Sequence, residues 1–250
     1  MIAFGTRDHA QARRRQVHSP DGIAFWKSEW METGADPRLS PTVFLIEQPP
    51  ETVAQTHFHR QNQYQLFVAG TGSIGGHAIA PLTVHYAGAY TGYGPLVAGP
   101  EGLKYLTLRP VMETGAQFIP EDRAMLKPGP KRGGQVGPVS ISEPAATARL
   151  AAPKRRDLLP ASREGGAAAL IEAPAGQPIP LACAPGAQGC FAVILSGSGC
   201  CDGRELGEWE SLFLSSDEPE TVVTAGAQGV SLALLSVPPR DPAYGEPEVD

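Results

Sequence analysis

The sequence predicts an all-β protein built from two copies of one sandwich- or barrel-type unit. Three observations carry that prediction. Glycine (29) and proline (25) are abundant among the 250 residues; Gly supplies positive φ and Pro breaks helices, so turns should be many and long helices few. Apolar runs of about five to seven residues, rich in Val, Leu, Ile and aromatics, lie between the Gly/Pro turns. The chain also matches itself when shifted by 127 residues. Gly70, Gly72, Gly76, Gly99 and Gly102 then fall on Gly197, Gly199, Gly203, Gly226 and Gly229. Nine glycines lie between Gly70 and Gly102, and composition alone would match about one of them.

The apolar segments follow the same shift. YQLFVAG lies over FAVILSG, GLKYLTLRP over GVSLALLSV and, with a two-residue adjustment, IEQP (46–49) over IEAP (171–174). Strands in the first copy are expected over 23–30, 42–47, 55–59, 64–69, 73–79, 82–86 and 103–108. In the second copy they are expected over 167–172, 190–195, 210–214, 220–223 and 230–237. This divides the chain into a first unit over 1–120, a linker over 121–160 containing KPGPKRGGQVGP and AAPKRRD, and a second unit over 161–250. A short helix around 142–150 is the one helical expectation. The tail PPRDPAYGEPEVD is expected to be mobile or docked.

Composition narrows the function. A net charge of −6 argues against a nucleic-acid footprint, and Arg13-Arg14-Arg15 reads as a solvated surface patch. No apolar stretch reaches the ~18–20 residues that span a bilayer. MIAFGTRDHAQARRRQ lacks the apolar core of a signal peptide, so a cytoplasmic protein is expected. The cysteines, Cys183, Cys190, Cys200 and Cys201, form no CxxC pair, and every histidine lies at position 85 or earlier. A Cys/His zinc site is therefore not expected. Cys200 and Cys201 should face opposite ways on a strand. GTGSIG (70–75) matches a dinucleotide-binding pattern, but the strand-like HAIAPLTVHY follows where a helix would be needed. Gly197-Ser198-Gly199 is no nucleophile elbow either.

The candidate site is THFHRQNQYQLFVAG, residues 56–70. On a strand, His57 and His59 point to the same side, as two metal ligands must. Gln63, Gln65 and Phe67 share one face of the next strand, and Gln63 could close the site. A bare HxH pair is more often two hydrogen-bonded histidines than a metal site; the spacing here is more specific. His57-x-His59-x3-Gln63-x6-Gly70 resembles the first motif of the cupin superfamily (RmlC-like), G-x5-H-x-H-x3,4-E-x6-G. Glu51 stands where the leading Gly would be, and Gln63 replaces the Glu.

The resemblance implies a bicupin: two cupin-type double-stranded β-helix (jelly-roll) barrels in one chain, the second degenerate. It further implies a metal-dependent enzyme acting on a small organic molecule, of dioxygenase, isomerase or lyase type, with one divalent transition metal (Zn, Ni, Fe or Cu). The ligands would be His57, His59 and Gln63. In the second family motif, expected near Gly88–Gly99, Leu96 and Val97 occupy the region of the last histidine, so His85 is the candidate replacement and His77 a weaker one. Gln65, Tyr86 and Tyr93 are candidates for substrate contacts. An amide in place of the carboxylate weakens the hold on a dication, so the alternative is a non-enzymatic small-molecule-binding or scaffold bicupin with a weakened or empty site. His57, His59 and Gln63 correspond to Ala184, Gly186 and Cys190 in the second copy, which should be metal-free. A homodimer is the expected assembly.

Overall fold

The computed structural model describes residues 1–245. The chain divides into two units. One comprises residues 9–139 together with 240–245; the other comprises residues 1–8 and 140–239. Among the described residues no helix is long and apolar enough to cross a membrane.

In the N-terminal unit the antiparallel strands lie in the order Gly133–Val136, Thr83–Ala87, Gln63–Ile74, Leu96–Arg109, Thr42–Gln48, Ala24–Glu32 and Arg14–His18. A separate two-stranded sheet joins His57–Phe58 to Gln117–Phe118. The C-terminal unit repeats the order with Ile2–Gly5, Ser211–Ser215, Gly189–Cys201, Thr221–Val237, Ala167–Ala173 and Lys154–Leu159.

The 127-residue shift is a shift of register as well as of sequence. Gln65 faces His85 on one side and Thr107 on the other; Ala192 faces Leu212 and Leu234. Gly70 faces Leu103 as Gly197 faces Val230. These two glycines are obligatory for one reason: φ is +76° and +75°, and a Cβ would lie 2.0 Å from the Gly102 carbonyl oxygen in one case and 2.1 Å from that of Gly229 in the other. Leu82 and Trp209, also one repeat apart, both take positive φ and donate their N–H to Phe67 and Ile194 respectively at 2.7 Å.

The segment expected as a linker, 121–160, is instead shared out between the units. Gly133–Val136 pairs with Thr83–Ala87, and Lys154–Leu159 pairs with Ala167–Ala173. The boundaries expected at 120 and 160 are thereby replaced by one near 139. The side chains of KRRDLL look like a solvated loop, yet a sheet edge accepts any extended backbone whose N–H and C=O groups need partners. The chain ends also depart from expectation. Ile2–Gly5 pairs with Ser211–Ser215 in the C-terminal unit. The segment from 240 belongs to the N-terminal unit, where Arg240 donates to the Arg60 carbonyl at 3.1 Å and Tyr244 packs on Tyr90. The rest of the expected tail, 246–250, lies outside the described residues.

The helix expected over 142–150 shortens to Pro144–Thr147. Arg14 and Arg15 are exposed on Arg14–His18 and pair with Glu47 and Glu29 at 2.9 and 2.7 Å. Cys200 and Cys201 take opposite faces, the first half-buried and the second buried.

Candidate functional site

The site sits in the N-terminal barrel and follows from strand alternation. Along Leu96–Arg109, Leu106 and Leu108 point to one side and Tyr105, Thr107 and Arg109 to the other. The register sets Thr107 beside Gln65 and Phe44, and Tyr105 beside Phe67 and Ile46. All of these inward side chains except Phe67, with Lys27 and Phe25 from Ala24–Glu32, line a cavity of about 470 Å³. His57 and His59 reach the same cavity from the short His57–Phe58 strand. Phe58 between them turns the other way, into a cluster with Ala89, Tyr90 and Tyr244. The two imidazole centroids are 5.3 Å apart.

The polar groups form a directed hydrogen-bond chain. Arg109 Nε donates to Gln63 Oε1 at 2.9 Å. Gln63 Nε2 donates to the Tyr93 hydroxyl at 2.6 Å. His57 Nδ1 lies 2.7 Å from the Gln55 carbonyl, which can only accept, so Nδ1 carries the proton. Nε2 is then the acceptor for Tyr93 O–H at 2.8 Å. Both ends of the chain are backbone- or charge-anchored, so the Gln63 amide and the His57 tautomer each have a single consistent orientation. Burial, aided by the neighbouring His59, holds the His57 pKa at about 3, and burial raises that of Tyr93. Both groups are neutral near pH 7.

Arg109 is the centre of the site, and Glu113 is its counter-ion. The guanidinium Nη2 lies 3.0 Å from His59 Nδ1 and 3.1 Å from Nε2. Nη1 donates to the Glu113 carbonyl at 3.3 Å and lies 3.9 Å from its carboxylate. Burial opposes ionisation of Glu113, yet its pKa is lowered. His59 Nδ1 is 3.6 Å from Oε2, too far for a hydrogen bond. The pull therefore comes from the Arg109 charge and from the Arg60 N–H, which donates to Oε1 at 2.8 Å. The His59 pKa is lowered by burial first and then by Arg109.

His57, His59 and Gln63 are thus brought together as the spacing predicts, but around a guanidinium. Two of the donors that a dication would need are already engaged, Gln63 Oε1 by Arg109 and His57 Nε2 by Tyr93, and Arg109 Nη2 sits against the ring of the third, His59. A permanent cation within 3 Å of two of the three donors repels a second one. As arranged, these residues do not fit a metal ion. Among the described residues no group of three or more His, Cys, Asp or Glu is placed to hold one. His85 stands beside this group: its Nδ1 pairs with Gln65 Oε1 at 3.0 Å, its ring centroid lies 4.9 Å from that of Tyr93, and burial holds its pKa at about 4. His77 is exposed on a hairpin.

Of the expected substrate contacts, Gln65 and Tyr93 line the cavity. Tyr86 alternates to the other face of its strand and packs on Tyr64, with centroids 5.0 Å apart. Arg109, Glu113, Thr107 and Lys27 were not anticipated. The signal for two of them was present in YLTLRP: Thr and Arg recur every second residue opposite a Leu stripe, on the strand that pairs with Gln63 and Gln65.

The C-terminal barrel carries apolar residues at the matching positions. Cys190, Ala192, Leu212, Leu232 and Leu234 stand for Gln63, Gln65, His85, Tyr105 and Thr107, and all five lie in one hydrophobic core.

No family model matches the chain, and no curated protein matches it. Solved structures do. The chain resembles oxalate decarboxylase from Bacillus subtilis with TM-score 0.60 and 10% identity, over 96% of this chain and 77% of that one. It resembles Streptomyces albus HEPD, with 2-hydroxyethylphosphonate and Fe(II) bound, with TM-score 0.55 and 10% identity over 95% and 76%. It resembles the bacterial pirin YhhW of Escherichia coli, in complex with nickel(II), with TM-score 0.51 and 15% identity over 96% and 100%. At such identities the likeness establishes architecture: the chain has the all-β, cupin-type jelly-roll fold.

Proposed function

We propose that the chain is a bicupin whose N-terminal barrel binds a small organic molecule and whose C-terminal barrel is a degenerate copy filled with apolar side chains. The observation that carries this reading is Arg109, whose guanidinium lies among His59, Gln63 and Glu113 where three converging donors would otherwise hold a metal. The ligand has an apolar body and a carboxylate or comparable acceptor head. Phe25, Phe44, Ile46 and Phe118 supply apolar wall, and Gln65 and Thr107 supply polar groups deeper in. Arg15, Lys27 and Arg109 line the same cavity, and among the described residues their carboxylate partners are Glu29 and Glu113. Apart from the exposed rim residue Asp21, three cations face two carboxylates. One unit of positive charge is left for the ligand, in a site where burial strengthens its pull.

A second reading, a metal-dependent enzyme of dioxygenase, isomerase or lyase type, is favoured by the convergence of His57, His59 and Gln63 in one cavity and by the metal-bound neighbours. It requires Arg109 to swing out of the site.

Elemental analysis of protein purified without an affinity tag and soaked with Zn, Ni, Fe or Cu separates the two. The guanidinium-centred reading expects substoichiometric metal, together with thermal stabilisation by small carboxylates that is lost in Lys27→Met. One metal per chain, lost in His57→Ala/His59→Ala, overturns it in favour of the enzyme.

A further inference from the structure

The C-terminal barrel carries apolar side chains at the matching positions, and one of them, Cys190, touches a second thiol. Cys190 stands at the position of Gln63, at the start of Gly189–Cys201, and is fully buried. Cys183 follows the Pro178–Leu181 strand and is half-buried. The turn between them is closed by Ala187 N–H donating to the Ala184 carbonyl at 3.0 Å, and is tied down by Ala184 N–H donating to Ser236 Oγ at 2.9 Å. This places the two Sγ atoms 3.0 Å apart, in hydrogen-bond contact. A disulfide needs about 2.05 Å, so the sulfurs must close by only about 1 Å.

We propose that Cys183 and Cys190 form a reversible redox pair, with Cys183 the attacking thiol and Cys190 the resolving one, responsive to peroxide. Exposure assigns the roles: an oxidant can reach Cys183 but not Cys190. The hydrogen bond between them also lowers the Cys183 pKa and, together with burial, raises that of Cys190, which keeps its proton. The Cys183 thiolate attacks one peroxide oxygen, the O–O bond breaks and water leaves, giving a sulfenic acid at Cys183. The Cys190 sulfur then attacks Cys183 Sγ, the S–O bond breaks and a second water leaves. Two thiols are oxidised by two electrons and one hydrogen peroxide is reduced to two waters. A thiol reductant returns both thiols by exchange. The product fastens the 182–188 turn to the strand. Cys200 and Cys201, adjacent on one strand and facing opposite ways, have no such geometry.

The test uses the full chain, treated with one equivalent of hydrogen peroxide and then denatured. Thiols are counted and the protein is mapped by differential alkylation and fragmentation mass spectrometry. Two of the four thiols should disappear as an intramolecular Cys183–Cys190 link, return with dithiothreitol, and raise the melting temperature while linked. Cys183→Ser should keep its remaining three thiols. Cys190→Ser should stop at a Cys183 sulfenic acid that dimedone traps. Because the wild-type map needs no variant, a misfolded mutant leaves the result intact. Four surviving thiols, a link through Cys200 or Cys201, or a link between chains overturns the proposal.

Discussion

Lowering the pH from about 7.5 to about 5 should destabilise the metal-stripped N-terminal barrel by about 4 kcal/mol, with two histidines responsible. In the folded barrel His57 and His85 stay neutral until the pH nears about 3 and about 4, against an ordinary value of 6.5. Both are only 8% exposed, so screening by water is small. Between those values the unfolded chain binds protons that the folded one refuses, and stability falls as pH falls. A pH of about 5 is roughly 1.5 units below the unfolded pKa of each imidazole, worth about 2 kcal/mol apiece. His59 acts in the same direction. Glu113 also does, but lower, since its stabilisation is lost only below its ordinary 4.5. Urea unfolding measures this. With a slope near 2 kcal/mol per molar, the midpoint of the N-terminal transition, followed through Trp26 and Trp30, should drop by about 2 M. The C-terminal unit contains no histidine, and Trp209 reports on it. Its midpoint serves as the internal control. His57→Gln/His85→Gln should remove the share of the N-terminal response that these two carry, leaving that of His59. Equal shifts in the two units, or a double variant that keeps the full drop, would refute the assignment of neutral buried imidazoles.

Arg109→Met should cost roughly 3–5 kcal/mol in urea unfolding, because it removes a counter-ion of the buried Glu113 carboxylate; a loss below about 1 kcal/mol would mean that Arg60, 3.6 Å from the same carboxylate, suffices alone. Thr107→Leu copies Leu234 of the C-terminal core, so it should abolish ligand-induced thermal shifts while leaving stability equal or up to about 2 kcal/mol higher; retained binding would place the ligand elsewhere. Gly70→Ala should be far worse than Gly76→Ala. Both have positive φ, but only the first puts its Cβ 2.0 Å from a carbonyl oxygen. Costs of more than about 3 and about 1 kcal/mol are expected, and similar midpoints would contradict the close approach.

The two-copy β architecture could be read from the sequence because its determinants are local. A glycine forced to positive φ, an apolar run of strand length and an HxH pair on one strand face are properties of a few neighbouring residues, and they recur at 127 residues because the local geometry recurs. The grouping of His57, His59, Gln63, Gln65 and Tyr93 around one cavity was legible for the same reason. Strand alternation decided it for His57, Gln63 and Gln65, while Tyr93 lies off the strands and meets His57 through a single bridge, and at Tyr86 the alternation of its own strand turned the ring away.

Three matters were decided only in three dimensions. Edge strands such as Lys154–Leu159 are recruited by unsatisfied backbone groups of a neighbour, whatever their own side chains suggest. Arg109 reaches Gln63 across 46 residues of sequence because cross-strand register puts the two side by side. No spacing rule within one strand encodes that meeting. The Cys183–Cys190 contact depends on how a turn folds back onto a strand. Local sequence sets backbone conformation and which way a side chain points. What stands opposite it is a property of the sheet, and that decided whether the histidines face a metal or a guanidinium.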